Sequence, residues 1–404
     1  MLRGASLLVL AVVACSPEVL VEEPSGSDVA VSSSSSSSSV GGGGSGAGGS
    51  GAGGSGAGAS GGGGAGGSPG VPGCEVLVRS GELLKVPGSF QGHLLDAGAG
   101  RIGAVYMANN GSPGIWATRS RVFDSQEPWP AFWTEELVNA ENSLEVQYPA
   151  SSREDGLMVV KRMSGWYVAS FFQPGVLMQT PAGATPYARP ILEPYPGVGV
   201  YWPAEGELHY YPSYDATEPS AVLPFVGNGL LHGVDGDGEL VLVGDDGFSL
   251  IQEGQLVPLG NLGVDLSTVE PGFLSLVPRE GGFWLSYVDA NDAVAMVGVS
   301  KGGLTEPYRP FGEAASGYRI DMTPWRNGVA IASSVQTPEA RLSVAVTDGE
   351  HTTVLPISSD EISYCENGLS VVSSPDGNSI YIGYLHCPPD EVAFVVERFD
   401  CASP

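Results

Sequence analysis

The chain has 404 residues with 17 basic and 45 acidic side chains, a formal charge of −28 and a sequence pI near 4.3. A surface that acidic repels phosphate backbones and excludes nucleic acid as a partner. Hydrophobic residues make up 42% of the chain, enough for a sizeable core once the polar leader is set aside.

Met1, Leu2 and Arg3 form a short basic start, and Leu7 to Ala14 (LLVLAVVA) an apolar run. The run is far shorter than the roughly 20 residues that span a bilayer, but it suits a secretory signal. It ends in Val12-Val13-Ala14-Cys15. Small residues before a cysteine, directly after such a run, resemble the lipobox of bacterial lipoproteins, with Val12 where leucine is commonest. The resemblance implies a signal peptide over residues 1–14, diacylation of Cys15 on sulfur and acylation of its new amino terminus. Three acyl chains exceed the two signals that stable anchoring needs. The other reading is an ordinary secretory signal cut near Ala14, with Cys15 incidental.

Ser32–Ser39 and the Gly/Ser/Ala tract from Gly41 to Gly67 hold no side chain large enough to offset chain entropy. Residues 15–73 therefore read as a lipidated cysteine plus a disordered tether, with an r.m.s. span of roughly 40 Å. The expected address is the outer face of a bacterial membrane, with the outer membrane or cell surface preferred.

Residues 74–404 carry about 16 basic and 41 acidic groups. Strand signals fill this part. Leu342-Ser-Val-Ala-Val-Thr alternates with period two, and Pro and Gly punctuate the stretch every eight to twelve residues. Thr134–Val146 (TEELVNAENSLEV) is the one helix expected, with Thr134 as its N-cap. Paired runs centre near residues 110, 164, 205, 246, 291, 339 and 386, a repeat of about 47 residues that matches a four-stranded propeller unit. The expected fold is all-β: a seven-bladed β-propeller behind a disordered tether. Two β-sandwich domains are the alternative.

Ser374-Pro-Asp-Gly-Asn-Ser-Ile-Tyr-Ile382 resembles the Pro-Asp-Gly box of TolB-like repeats, a propeller class akin to WD-repeat propellers. The resemblance covers nine residues and implies a turn between two strands of one blade. Pro375 presets the first turn position, and Gly377 accepts the conformation that follows.

Catalytic signatures are missing from the folded part. It holds no Gly-x-Ser-x-Gly elbow and no HExxH, and His93, His209, His232, His351 and His386 are scattered. Asp235-Gly-Asp237-Gly-Glu239 has the alternating acids of a calcium loop without its sixth-position glycine or distal glutamate, and reads as a hairpin turn. No metal and no cofactor are expected. Two aromatic stretches are candidate ligand sites: Trp129 and Trp133 in "EPWPAFW", and Tyr195, Tyr201, Trp202, Tyr210 and Tyr211 in "EPYPGVGVYWPAEGELHYYPSY". Aromatic faces beside acids suit sugar rings or partner side chains. The competing reading wedges them between blades as core.

Four cysteines follow Cys15, in a chain bound for an oxidising compartment. Counting outward from Ser374 opposite Ser379 places Cys365 opposite residue 388, which predicts a Cys365–Cys387 disulfide. If the first strand completes the last blade, Glu75–Arg79 pairs antiparallel with Val392–Phe399 and sets Cys74 beside Cys401. The first bridge is worth roughly 3 kcal/mol and the second roughly 5 kcal/mol on the chain-entropy model. The function expected is that of a membrane-anchored, extracytoplasmic, monomeric module that binds an envelope protein or a glycan. A propeller hydrolase or lyase with acidic residues at the central funnel is the alternative.

Overall fold

The structure is a computed structural model. It describes residues 70–402 except 90, 98–99, 110–115, 125–132, 139–144, 148–155, 163–164, 171–172, 185–188, 226–230, 245–246, 261–273, 290, 301–302, 313–315, 337–339, 359–367 and 389–390. The leader, Cys15, the tether, Trp129 and Cys365 thus lie outside the described residues.

Every named element is a strand. Strand β1 (Val76–Pro87) comes first and belongs to the last sheet. The first sheet holds β2 (Gly92–Asp96), β3 (Arg101–Asn109), β4 (Trp116–Asp124) and β5 (Trp133–Val138). The second holds β6 (Glu145–Gln147), β7 (Leu157–Arg162), β8 (Gly165–Ser170) and β9 (Gln173–Gln179). The third is β10 (Ile191–Leu192), β11 (Val200–Ala204), β12 (Glu207–Tyr211) and β13 (Ala221–Pro224). The fourth is β14 (Leu231–Val234), β15 (Leu240–Gly244), β16 (Gly247–Gln252) and β17 (Gln255–Gly260). The fifth is β18 (Leu274–Arg279), β19 (Gly282–Val288), β20 (Val294–Ser300) and β21 (Gly303–Leu304). The sixth is β22 (Ser316–Trp325), β23 (Gly328–Gln336), β24 (Ala340–Thr347) and β25 (Thr352–Ser358). The last joins β26 (Ser370–Ser373), β27 (Ser379–His386) and β28 (Ala393–Ala402) to β1, in the order β1-β28-β27-β26.

Each sheet meets the next. β5 touches β9, β7 touches β10, β13 touches β17, and β14, β18, β22 and β26 touch in succession. β26 then touches β2, so the ring returns to its start. Four-stranded antiparallel sheets in cyclic order are a propeller arrangement. Two stacked sandwiches would not close in this way.

The core lies between sheets. Strand alternation turns Val200 and Trp202 toward Leu157, Val159 and Trp166 of the second sheet, while Tyr201 between them packs with Leu240 and Leu242 of the fourth. Described inner strands bury apolar residues on both faces, which explains runs such as VAMVGV that read as continuously apolar.

The expected helix over Thr134–Val146 does not form. Its residues fall in two strands: β5 pairs with β4 (Arg121 opposite Thr134, Arg119 opposite Glu136), and β6 pairs with β7. A lone 13-residue helix is marginal in water, and the edge of β4 offers partners to the backbone groups of 133–138 that face it.

The closing strand is present, with a shifted register. Leu77, not Cys74, stands opposite Cys401, and Val76–Arg79 pair with Phe399–Ala402. Two irregularities, between Arg79 and Gly81 and between Glu82 and Leu84, move the remaining residues onto Ala393–Arg398. Cys74 still reaches Cys401, because residues 71–74 turn back (Cys74 N to Val71 O, 2.8 Å). The disulfide forms with Cα atoms 4.7 Å apart. Cys387 is also disulfide-bonded. Ser370 opposite Gly383 keeps the register counted from Ser374 and Ser379.

Candidate functional site: a carboxylate and tyrosine hub on the third sheet

The turn from β10 to β11 is the proline-rich segment Glu193–Gly199, and Glu193 organises it. One carboxylate oxygen accepts hydrogen bonds from Gly199 N (3.0 Å) and from Tyr210 Oη (3.1 Å). Gly197 N bonds Pro194 O at 2.8 Å, and the Tyr195–Pro196 peptide is cis. The glycines are there for space. A Cβ on Gly199 would lie 2.4 Å from the Tyr210 ring, and one on Gly197 2.5 Å from the Glu193 carboxyl carbon. Beneath the turn, Tyr201 and Tyr210 face each other across β11 and β12 with ring centroids 4.7 Å apart. Burial, then the neighbouring charge of Glu193 and the bond to it, pushes the Tyr210 hydroxyl up to about 12. Burial and the same charge raise Tyr201 as well. Both phenols therefore stay neutral in the physiological range, and Tyr210 donates to Glu193.

The aromatic residues singled out from sequence divide into two sets. Trp202 and Tyr211 are core, 0% and 1% exposed, and Tyr201 is 6% exposed. Tyr210 is half-buried, while Tyr195 stands 40% exposed at the tip of the turn, next but two to Val198 at 39%. Trp133 lies in β5, where only its backbone placement is described. Glu193 thus organises the turn that carries Tyr195 and bonds Tyr210, which faces Tyr201. Trp202 and Tyr211 pack toward the second sheet, and Tyr201 toward the fourth.

The acidic turn after β14 is a turn. Asp235 accepts from Asp237 N (2.9 Å) and Glu239 N (2.8 Å) through one carboxylate oxygen, the Asx geometry of a tight turn. The Pro-Asp-Gly box lies between β26 and β27 as the resemblance implied: Gly377 has φ 65°, and Asp376 accepts from Ser374 Oγ (2.6 Å) and Asn378 N (3.0 Å).

Three features went unseen in the sequence. Asp321, on the innermost strand of the sixth sheet, accepts from Val371 N on β26 at 2.7 Å and makes a long 3.5 Å contact with Ser275 Oγ on β18. Asp321 is half-buried, and burial lifts its carboxyl to about 7 against the pull of its hydrogen bonds. Arg326, after β22, donates to Gly377 O (3.1 Å), Asn378 Oδ1 (3.1 Å), Pro72 O (3.2 Å) and Gly73 O (3.4 Å) while lying over the Trp325 ring. Arg79 on β1 grips Glu397 on β28 through two nitrogens, one at 2.8 Å, with the Glu397 side chain only 4% exposed. All three join residues far apart in the chain, so no local motif marks them.

No family model matches the chain, and neither does a curated protein sequence. Among solved structures it is similar to a streptogramin B lyase, with TM-score 0.48 and 11% identity over 80% of this chain and 97% of that one. It is also similar to YCF48 bound to D1 peptide (0.45 and 9%, over 81% and 94%). The WD40 domain of Neurospora crassa Pan2 matches at 0.47 and 9%, over 80% and 96%. At these scores the likenesses carry no argument about activity, and the fold rests on the strand pairing itself.

Proposed function

We propose that the chain is a lipid-anchored, extracytoplasmic lipoprotein whose propeller, with one blade per sheet, binds an envelope protein or a glycan. The observation that carries the reading is the turn 193–199: an exposed tyrosine and valine at its tip, above a base fixed by Glu193, Tyr210 and two close-packed glycines. Rigid aromatic contact area that loses little entropy on binding is what recognition sites use. Acidic charge keeps such a module soluble. The bonded cysteines Cys74, Cys401 and Cys387 fit an oxidising compartment, and Cys365 is the partner proposed for Cys387.

The test is capture of partners from envelope extracts and on glycan arrays by the full chain, beside Tyr195→Ala and Val198→Ser. Specific capture lost in either variant at unchanged melting temperature supports the reading, and equal capture overturns it. The anchor has its own test: Cys15→Ser should abolish lipid labelling and release the protein from membranes. A wild-type protein without lipid by mass spectrometry ends that part of the proposal. Deleting Ser32–Gly67 should leave the melting temperature of the remainder unchanged, and a drop of several degrees contradicts a free tether.

A further inference from the structure

Arg279 ends β18 and is half-buried, with its guanidinium over the Trp284 ring, 4.2 Å from the centroid. Among the described residues no carboxylate, carbonyl or hydroxyl accepts a hydrogen bond from it. That is unusual in a chain with 45 acidic and 17 basic side chains, where Arg79, Arg309 and Arg398 are each paired with a carboxylate. A guanidinium carries five N–H donors in a fixed fork, and they need acceptors from protein, water or a ligand.

The place where it lies is built for it. Trp284 stands opposite Val277 on β18 and opposite Gly298 on β20, and Arg279, two residues on from Val277, shares their face. A Cβ on Gly298 would lie 1.7 Å from Arg279 Nη1 and 3.1 Å from Thr305 Cγ2. Glycine inside a buried strand weakens it, and here it makes room for the guanidinium. Thr305, just after β21, edges the seat and exchanges two bonds with Gly298, its N donating to Gly298 O (2.9 Å) and its Oγ1 accepting from Gly298 N (2.8 Å). From the sixth sheet, the turn after β24 reaches the indole, where a Cβ on Gly349 would lie 2.7 Å from Trp284 Cη2. The acids of the surrounding turns leave the fork alone. Asp348 accepts from the N–H groups of Glu350 and His351 and pairs with the His351 ring, while Glu280, Glu306 and Glu350 are exposed and bond none of its nitrogens.

We propose that Arg279, laid on Trp284 in the space that Gly298 leaves, is a binding site for a small ligand bearing a single carboxylate. Stacking on an aromatic face uses the flat side of a guanidinium and leaves its N–H edge for an acceptor. That edge matches a carboxylate through two parallel bonds. A formal charge of −28 repels polyanions, so the ligand carries one negative group and little other charge. The site lies on the fifth sheet and does not depend on the turn 193–199 of the third.

The test is an NMR titration of the isotope-labelled full chain with sodium acetate and sodium glucuronate, beside glucose and sodium chloride. Arg279 Nε–H and the Trp284 indole N–H should shift together and saturably with the two carboxylates, in the millimolar range that one bidentate pair supports. Glucose and chloride should leave both signals in place. Arg279→Lys keeps the charge but loses the fork, and should weaken binding by about tenfold or more. Gly298→Ala fills the seat and should weaken it as well. An unchanged affinity in Arg279→Lys at an unchanged melting temperature overturns the proposal. The wild-type titration decides independently of variant folding: no saturable shift with either carboxylate, or an equal shift with chloride or glucose, also overturns it.

Discussion

The last sheet and the third sheet are built from the same four-strand plan and held in opposite ways. The last sheet joins residues from the two ends of the domain. Cys74 and Cys401, 327 residues apart, are bonded; Arg79 and Glu397 are paired; Arg326 ties the sixth sheet to residues 72–73 and to the Pro-Asp-Gly turn. The third sheet takes all its strands from one stretch, its inner strand is only two residues long, and its turn hangs on Glu193. Closure of a ring is a long-range event with a large entropy cost, so it is reinforced where the chain ends meet. A turn that presents Tyr195 needs local stiffness only.

The largest effect should follow from cutting the covalent link. Cys74→Ser with Cys401→Ser should cost about 5 kcal/mol as an upper value on the chain-entropy model, read by denaturant unfolding. A loss below about 1 kcal/mol would show that strand pairing alone closes the ring. Glu397→Ala should cost about 2–4 kcal/mol, less than a fully interior pair because Arg79 remains a third exposed. A double-mutant cycle with Arg79→Ala separates the pairing from the cost of an orphaned charge.

On the third sheet, Gly199→Ala should cost about 1–3 kcal/mol, since the added methyl meets the Tyr210 ring and the Glu193 carboxylate together. The signature would be local, with faster exchange at 193–199 and an unchanged β1. Asp321 supplies a smaller, pH-dependent effect. Its carboxyl is raised to about 7, chiefly by burial, so the folded state holds a proton that the unfolded state has released above about 4. Stability is therefore lost as pH rises from about 4 to 7, by at most about 4 kcal/mol over three pH units and on the order of 2 kcal/mol once screening of the part-exposed side chain is discounted. Asp321→Asn should remove that slope, and a slope that survives in the variant assigns it to another group. Tyr195→Ala should change stability least, by under about 0.5 kcal/mol, as measured by melting.

Repetition made the ring legible from sequence. Strand pairs at a steady spacing were visible because every sheet but the last takes its strands from one stretch of chain, and the Pro-Asp-Gly turn fixed a register that Ser370 opposite Gly383 keeps. Thr134–Val146 misled because its apolar spacing fits a short helix, whereas the edge of β4 decides its conformation. Cys74–Cys401 was legible as a pairing but not in register, since irregularities at Arg79/Gly81 and Glu82/Leu84 leave no mark in composition. In the candidate site, the aromatic residues showed as a group. Their division did not, because it depends on which side of β11 each one faces: Trp202 toward the second sheet, Tyr201 toward the fourth. Glu193 was hidden for a related reason, its partner Tyr210 lying 17 residues on.

Strand β1 closes the ring and is locked there, while the 193–199 tip is stiff but open to contact. Hydrogen exchange on the intact, oxidised full chain tests both halves at once. Those amides of β1 that bond to β28 should exchange as slowly as their partners and only through global opening, and Val198 should exchange far sooner than Gly199, whose N–H is held by Glu193. Exchange of β1 well ahead of β28 would mean that the first strand frays from the last sheet, and the closure described for this molecule would be wrong.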